Sequence, residues 1–406
     1  MIVMYKLASV ATVLFAAYVL SSNRSAIKWH YIVITLAVQF LIALAMLKTS
    51  GGEVIGFKIA ELFSRLNEYA DAGGKMVFST LADPTSKAGW GFIFAVKITT
   101  LITFMGGLLG LLSYFGVIAF LVRGIATVAS PVFGVSGAEG LCTVANSLLG
   151  QIESPMLVRS YLPKMTRSEL MSVMISGFST TSITLLVTFA AQGISALHLF
   201  TSSIMAVPGT FVIAKLLEPE THVPETMGHN VSPTQDSSDN VIDAVASGAS
   251  NGFMVSGIII AMLITFIGLT VFANDIVEKI IFMISGKHGF TVDTLLGFVF
   301  RPITYLLGVP ASEQGDVAAL IGNRMLINEF VAYLKMMSLD FSLYSKTILT
   351  YLLCGFANFS SIGMQIGGIS AMAPSTRATL SQIGLRAMIG GTLVNILNAC
   401  IVSFLL

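Results

Sequence analysis

Three strings of this chain occur twice, in the same order. Residues 134–140 (GVSGAEG), 146–154 (NSLLGQIES) and 177–182 (GFSTTS) return as 308–315 (GVPASEQG), 323–331 (NRMLINEFV) and 355–361 (GFANFSS), and the anchors Glu139/Glu313, Glu153/Glu329 and Gly177/Gly355 are offset by 174, 176 and 178 residues. A near-constant offset marks an internal duplication. Each copy sets a carboxylate in the middle of an apolar segment and follows it with a Gly-Phe stretch rich in hydroxyl and amide groups. Of the 406 residues, 55% are hydrophobic and 11% charged, against about 25% charged in soluble domains. The chain is therefore read as an integral membrane protein. Its apolar runs are too long and too continuous for the alternating strands of a barrel, so the class is all-α. In such proteins, paired repeats with interrupted hydrophobic segments place a binding site where the repeats meet.

Spanning helices are expected near 2–20, 31–47, 91–113, 253–273 and 384–406, each long enough to cross about 30 Å of hydrocarbon. The first is read as a spanning helix and not a cleaved signal, because a second apolar run follows it at once. Between 52 and 88, Phe57, Ala60, Leu62, Phe63 and Leu66 interleave with Lys58, Glu61, Arg65 and Glu68. That pattern suits an amphipathic helix in the interface or one docked on a partner helix. Residues 114–130, with the single charge Arg123, form a further interfacial or tilted helix. The segment 218–243 holds six acids, three prolines and no Lys or Arg, and reads as a solvated connector between repeats at 130–217 and 294–406. Arg24 and Lys28 favour a cytoplasmic first connector and an external N-terminus, whereas Lys48, Lys58 and Arg65 after the second helix favour the reverse, so the charges leave both orientations open. A net charge of +1 argues against a nucleic-acid partner. Cys142, Cys354 and Cys400 lie in apolar surroundings and read as packing residues. The GxSxG match at 248–252 follows no strand and has no His or acid partner motif, so an enzyme is not indicated.

Two segments are interrupted. In 141–162, Asn146, Gln151, Glu153 and Pro155 fall where a continuous helix would bury all four at midplane. A re-entrant hairpin turning near 150–155 avoids this, because irregular backbone at that depth is tolerated inside protein or beside a wet cavity. Pro155 suits the start of the descending half-helix, whose free N–H groups favour polar ligands. In 319–334 the corresponding tip carries Asn328 and Glu329. Glu153 and Glu329 are the leading functional candidates, since an acid in hydrocarbon costs several kcal/mol. The competing reading puts them at headgroup depth or pairs them with Arg159 and Arg324. Glu139 and Glu313 are equally readable as helix caps. In the Gly-Phe stretches, Asn358 and Ser361 are expected on one helix face. The hydroxyls of Ser179, Thr180, Ser182 and Thr184 serve the site or simply bond the preceding turn.

The strings GQIESP (150–155), GNRMLINEFVAY (322–333) and CGFANFSSIGMQIGG (354–368) resemble the signatures of the concentrative nucleoside transporters, which read G-Q-[ST]-E, G-x-K-x-x-x-N-E-F-V-A and G-F-A-N-F-[SG]-S. The resemblance runs from about residue 90 to the C-terminus. It implies about eight transmembrane helices, two re-entrant hairpins in an inverted repeat, interfacial amphipathic helices, and a homotrimer in the plasma membrane (the bacterial inner membrane). It further implies a scaffold (1–129, with the connector and helix of 218–293) against which a transport domain (130–217 and 294–406) moves like an elevator. By motif, Gln151, Ile152 and Glu153 would face the base of a nucleoside such as uridine or adenosine. Glu329, Asn358 and Ser361 would hold the ribose hydroxyls, and Phe356 would line the pocket. The sodium site of coupled relatives maps onto Asn146, Leu149, Thr184 and Leu185, with a proton as the alternative coupling ion. Two departures stand out: Ile152 replaces a Ser or Thr, and Arg324 replaces a Lys. The residue chemistry agrees with these roles, because a carboxylate, an amide and a hydroxyl bracket a vicinal diol, and an amide with an acid reads the polar edge of a base.

Overall fold

The computed structural model describes residues 2–82, 92–229, 231, 238–286 and 288–406; the remainder, including parts of the expected 52–88 helix and of the 218–243 connector, lies outside them. The helices are α1 (Ile2–Val19), α2 (Trp29–Lys48), α3 (Ser50–Phe78), α4 (Phe94–Tyr114), α5 (Val117–Phe133), α6 (Gly137–Asn146), α7 (Glu153–Met156), α8 (Arg167–Ser179) and α9 (Ile183–Ala191). They continue with α10 (Ala196–Leu217), α11 (Val241–Ser285), α12 (Val292–Leu306), α13 (Gln314–Leu326), α14 (Glu329–Ser338), α15 (Leu343–Leu353), α16 (Phe359–Met372) and α17 (Arg377–Leu405). No strand occurs among the described residues.

The duplication is visible in the order of elements. Helix α5 leads into the pair α6–α7, then the broken pair α8–α9, then α10. Helix α12 leads into α13–α14, then α15–α16, then α17. The two long closing helices pack together, and α17 also lies against α8, α15 and α16. Buried Leu, Ile, Val and Phe of these elements form one continuous core.

The segments expected near 253–273 and 384–406 are parts of longer helices. Helix α11 runs for 45 residues, about 68 Å at 1.5 Å per residue, more than twice the hydrocarbon thickness. Its GASNG run is a packing device. A Cβ on Gly248 or Gly252 would fall 2.3–2.4 Å from the Gly106 or Ile102 carbonyl oxygen, and one on Gly106 2.3 Å from the Gly248 carbonyl oxygen. Small residues four apart thus let the α4 and α11 backbones touch.

Helix α3 buries one stripe (Gly52, Gly56, Phe63, Leu66, Ala70, Gly74) against α2, α4, α9 and α10, which is the docking half of the sequence expectation. Helix α5, Val117–Phe133, covers most of the stretch expected as a helix at 114–130. The connector is not simply solvated, because its first part is docked. Glu218 is buried and accepts from Arg167 Nε (3.2 Å) and Arg386 Nη1 (2.7 Å). Thr226 receives the Gly137 N–H on its carbonyl and the Ala138 N–H on its hydroxyl, both at 3.1 Å. Those N–H groups open α6 and have no partner within the helix, so a polar strand laid across them removes an unmet demand.

Candidate functional site

Both hairpins form. In the first, α6 ends at Asn146 and the chain turns through Ser147–Ile152. The returning arm is a single α-turn, after which Leu157, Val158, Arg159 and Tyr161 each bond three residues back. The expected descending half-helix is therefore mostly a tight i→i+3 winding, and Pro155 contributes no N–H to it. In the second hairpin, α13 and α14 meet at Ile327 and Asn328. The Asn328 side chain caps α14 by accepting the Val331 N–H at 2.9 Å, which leaves Glu329 at the first helical position.

The Gly-Phe stretches are breaks, not helix faces. Helix α8 stops at Ser179, residues 180–182 are extended, and α9 resumes; α15 stops at Leu353 and α16 begins after Asn358. Asn358 and Ser361 consequently meet through a cap. Asn358 is the N-cap of α16, and its Oδ1 accepts the Ser361 N–H (2.9 Å) and the Ser360 hydroxyl (2.7 Å). Glycine and Asn at a helix start carry the relevant signal in the sequence, and it was outweighed there by the continuous hydropathy.

Asn358 also joins the second hairpin. Its Nδ2 donates to Glu329 Oε2 at 3.3 Å, and both side chains are buried. Gln151 of the first hairpin reaches the same place, its Nε2 directed at Ser361 Oγ at 3.5 Å. Gln365, which the sequence reading passed over, donates from Nε2 to Gln151 Oε1 (3.2 Å) and to the Met174 carbonyl (3.2 Å). Glu329, Asn358, Ser361, Gln151 and Gln365 therefore form one unbroken polar chain across the two repeats. Phe356 sits half-buried in the second break. Ile152 is 37% exposed at the first tip and touches the Gly368 position of α16. Glu153 is also exposed, with Oε2 folded over the Gly150 turn. Among the described residues neither carboxylate forms a salt bridge with an arginine: Arg159 is exposed, and Arg324, though close enough to Glu329 for their charges to interact, makes its hydrogen bonds elsewhere.

Arg324 is fully buried and serves the second break. Its guanidinium donates to the carbonyls of Leu352 (2.6 Å) and Gly355 (3.2 Å) and to Asn395 Oδ1. Asn395 of α17 donates in turn to the carbonyls of Cys354 (2.7 Å) and Ser179 (2.9 Å). One asparagine thus holds the loose carbonyl ends of both broken helices, which the bilayer could not otherwise satisfy. The other two acids are structural, though neither caps its own helix. Glu139 pairs with Lys215 Nζ at 2.6 Å, and Glu313 accepts from the Ser342 N–H (3.0 Å) and hydroxyl (2.9 Å) at the start of α15.

Near the first break, Asn146 is buried and donates from Nδ2 to Ser176 Oγ (2.6 Å), leaving its Oδ1 without a protein partner. An orphaned buried oxygen fits an alkali cation, which takes oxygen ligands. Leu149 lies in the same turn, half-buried. Thr184 and Leu185 sit in the first turn of α9, where the Thr184 carbonyl is taken by Thr188 Oγ1 (2.8 Å) and the Leu185 N–H by Ser182. Thr180 in the break bonds the Ser176 carbonyl (2.7 Å) and so shares Ser176 with Asn146. That bond is the one to the preceding turn which the sequence offers as the alternative to a site role for Thr180.

Profiles described as Na+ dependent nucleoside transporter C-terminus, Na+ dependent nucleoside transporter N-terminus and nucleoside recognition match residues 198–403, 8–81 and 95–196. The chain belongs to the concentrative nucleoside transporter family. It is 36% identical to an uncharacterized transporter of Haemophilus influenzae, over 95% of this chain and 93% of that protein. It is 30% identical to the nucleoside permease NupC of Helicobacter pylori, over 98% and 96%. Solved forms of CNTnw share the whole fold: an inward-facing substrate-bound state (TM-score 0.93, 32% identity, covering 100% of this chain and 98% of that one) and an outward-facing variant (TM-score 0.94, 31%, 100% and 97%). The family is one of transporters, and the chain is accordingly a multi-pass membrane protein.

Proposed function

We propose that this protein is a sodium-coupled nucleoside symporter of the bacterial inner membrane. It imports nucleosides as a homotrimer whose transport domains move like elevators. The observation that carries the reading is the polar chain from Glu329 through Asn358 and Ser361 to Gln151, drawn from both repeats. In it Glu329 and Asn358 hold the ribose hydroxyls, Ser361 lies beside them, and Phe356 packs on the sugar–base unit. Gln151, Ile152 and Glu153 meet the base. The apolar Ile152 leaves base discrimination to the two polar groups flanking it. A site built to bond hydroxyls rejects analogues lacking them strongly, so 2′- and 3′-deoxynucleosides are poor substrates.

Sodium binds at Asn146 Oδ1 with the carbonyl of Leu149 and oxygens of the 180–185 segment. The partnerless Asn146 Oδ1 supports this. Asn146 lies five residues before Gln151, so an ion there braces the tip that meets the base, and substrate and ion bind best together. Alternating access is supported by CNTnw, whose solved forms include inward-facing, intermediate and outward-facing states. One sodium ion crossing about 100 mV releases about 2.3 kcal/mol, and a tenfold sodium gradient adds about 1.4 kcal/mol. At one-to-one coupling these sustain roughly 500-fold accumulation.

The test is uptake of radiolabelled uridine and adenosine into proteoliposomes under an imposed sodium gradient, a proton gradient, or neither. Accumulation above the external concentration with sodium alone is expected. Accumulation driven by protons alone would reassign the ion, and equilibration without accumulation would make the protein a channel.

A further inference from the structure

Gln365 is fully buried on α16, four residues after Ser361, at the seam between the repeats. Its hold on its surroundings runs through one end of the amide. Nε2 donates both to the Met174 carbonyl and to Gln151 Oε1, while Gln365 Oε1 has no protein partner. Helix α8 is shaped to admit the pair: a Cβ at Gly177 would lie 2.8 Å from Gln365 Nε2 and 2.9 Å from Gln151 Cβ.

The orientation follows by elimination. A backbone carbonyl only accepts, so Gln365 must turn its NH2 towards Met174. The second hydrogen of that NH2 then requires an acceptor, which Gln151 meets with Oε1. A reversed Gln151 would set two NH2 groups face to face. Gln151 is left presenting its own NH2 outward, held only by the long 3.5 Å approach to Ser361 Oγ.

We infer that Gln365 is a positioning residue that fixes the direction of the Gln151 amide, making the first hairpin tip a hydrogen-bond donor that selects nucleobases with a carbonyl oxygen on the edge away from the glycosidic bond. Uridine (4-oxygen) and inosine (6-oxygen) are of that class. The inference rests on the nucleoside reading of the site and adds the sense of the base contact to it.

The experiment compares half-saturating concentrations for uridine, zebularine (the uridine analogue without the 4-oxygen) and 2′-deoxyuridine, in wild type, Gln365→Leu and Gln365→Glu. Wild type should prefer uridine to zebularine by about tenfold, the scale of one buried hydrogen bond. Gln365→Leu frees Gln151 to rotate, and the ratio should fall towards one. Gln365→Glu is nearly isosteric; as the neutral acid it gives its one O–H to the Met174 carbonyl and offers Gln151 only lone pairs, so Gln151 turns its NH2 towards it and the preference is removed as well. The uridine to 2′-deoxyuridine ratio should stay unchanged in both variants, which a general loss of packing would not produce. Where a variant transports too slowly, calorimetric binding in detergent gives the same ratios. No uridine uptake or binding by wild type would defeat the nucleoside reading itself. Wild-type uptake with no uridine preference, or a preference that survives both substitutions, would overturn this inference alone.

Discussion

The two hairpins descend from one ancestral unit but have diverged in how firmly they hold their acids. Glu329 is buried, starts a regular helix, follows a capping asparagine and is bonded by Asn358. Glu153 is exposed, starts a single α-turn that winds on into i→i+3 bonds, and lies folded over a glycine. The second hairpin is therefore preorganised, while the first is the adaptable half. This division suits a ligand whose sugar is constant and whose base varies. It also suits an ion that stiffens the looser partner, and the partnerless Asn146 oxygen belongs to that looser half.

The largest effect that would break this asymmetry falls on the rigid side. Glu329→Gln removes a charged acceptor from a buried site and should lower nucleoside uptake by about 100-fold, since bonds to charged groups contribute about 1.5–3 kcal/mol. The protein should remain folded by size-exclusion and thermal assays. Uptake at the wild-type rate would remove Glu329 from the site.

Next comes the support beneath the second break. Arg324→Leu strips the Leu352 and Gly355 carbonyls of their donor and should destabilise the protein by about 3 kcal/mol, at about 1–3 kcal/mol per unsatisfied buried group. A fall in melting temperature in detergent would report it. Arg324→Lys should cost less but still be measurable, because an ammonium cannot span three acceptors as a planar guanidinium does.

On the adaptable side, Asn146→Ala should raise the sodium concentration for half-maximal uptake by about tenfold, the worth of one oxygen ligand taken as a single strong bond, with maximal uptake retained at saturating sodium. An unchanged sodium response would place the ion elsewhere. The smallest effect is expected of Glu153→Gln: a few-fold change in the relative uptake of purine and pyrimidine nucleosides, read by competition, with ribose discrimination intact.

The sequence carried the membrane class, the duplication, both hairpins and the acids at their tips, because a charged residue within an apolar run has few alternatives to a turn or a wet cavity. It did not carry the helix breaks. Ser179–Thr184 and Cys354–Ser361 read as helix since hydropathy is blind to the backbone, and so Asn358 was placed on a face when it is a cap. Arg324 was weighed as an ion-pair partner, whereas its acceptors are carbonyls 28 and 31 residues away and an asparagine 71 away. Gln365 and Asn395 were invisible for a related reason. Each is an uncharged amide within an apolar helix, and only the approach of the other repeat gives it a role. The docked part of the connector escaped notice because acids and prolines also describe a free loop.

The central claim is that one nucleoside is held jointly by both repeats. A structure solved with uridine and sodium tests it most directly. The account predicts ribose hydroxyls against Glu329 and Asn358, with the base against Gln151 and Glu153. Uridine held by one hairpin alone, or lodged away from both tips, would contradict it.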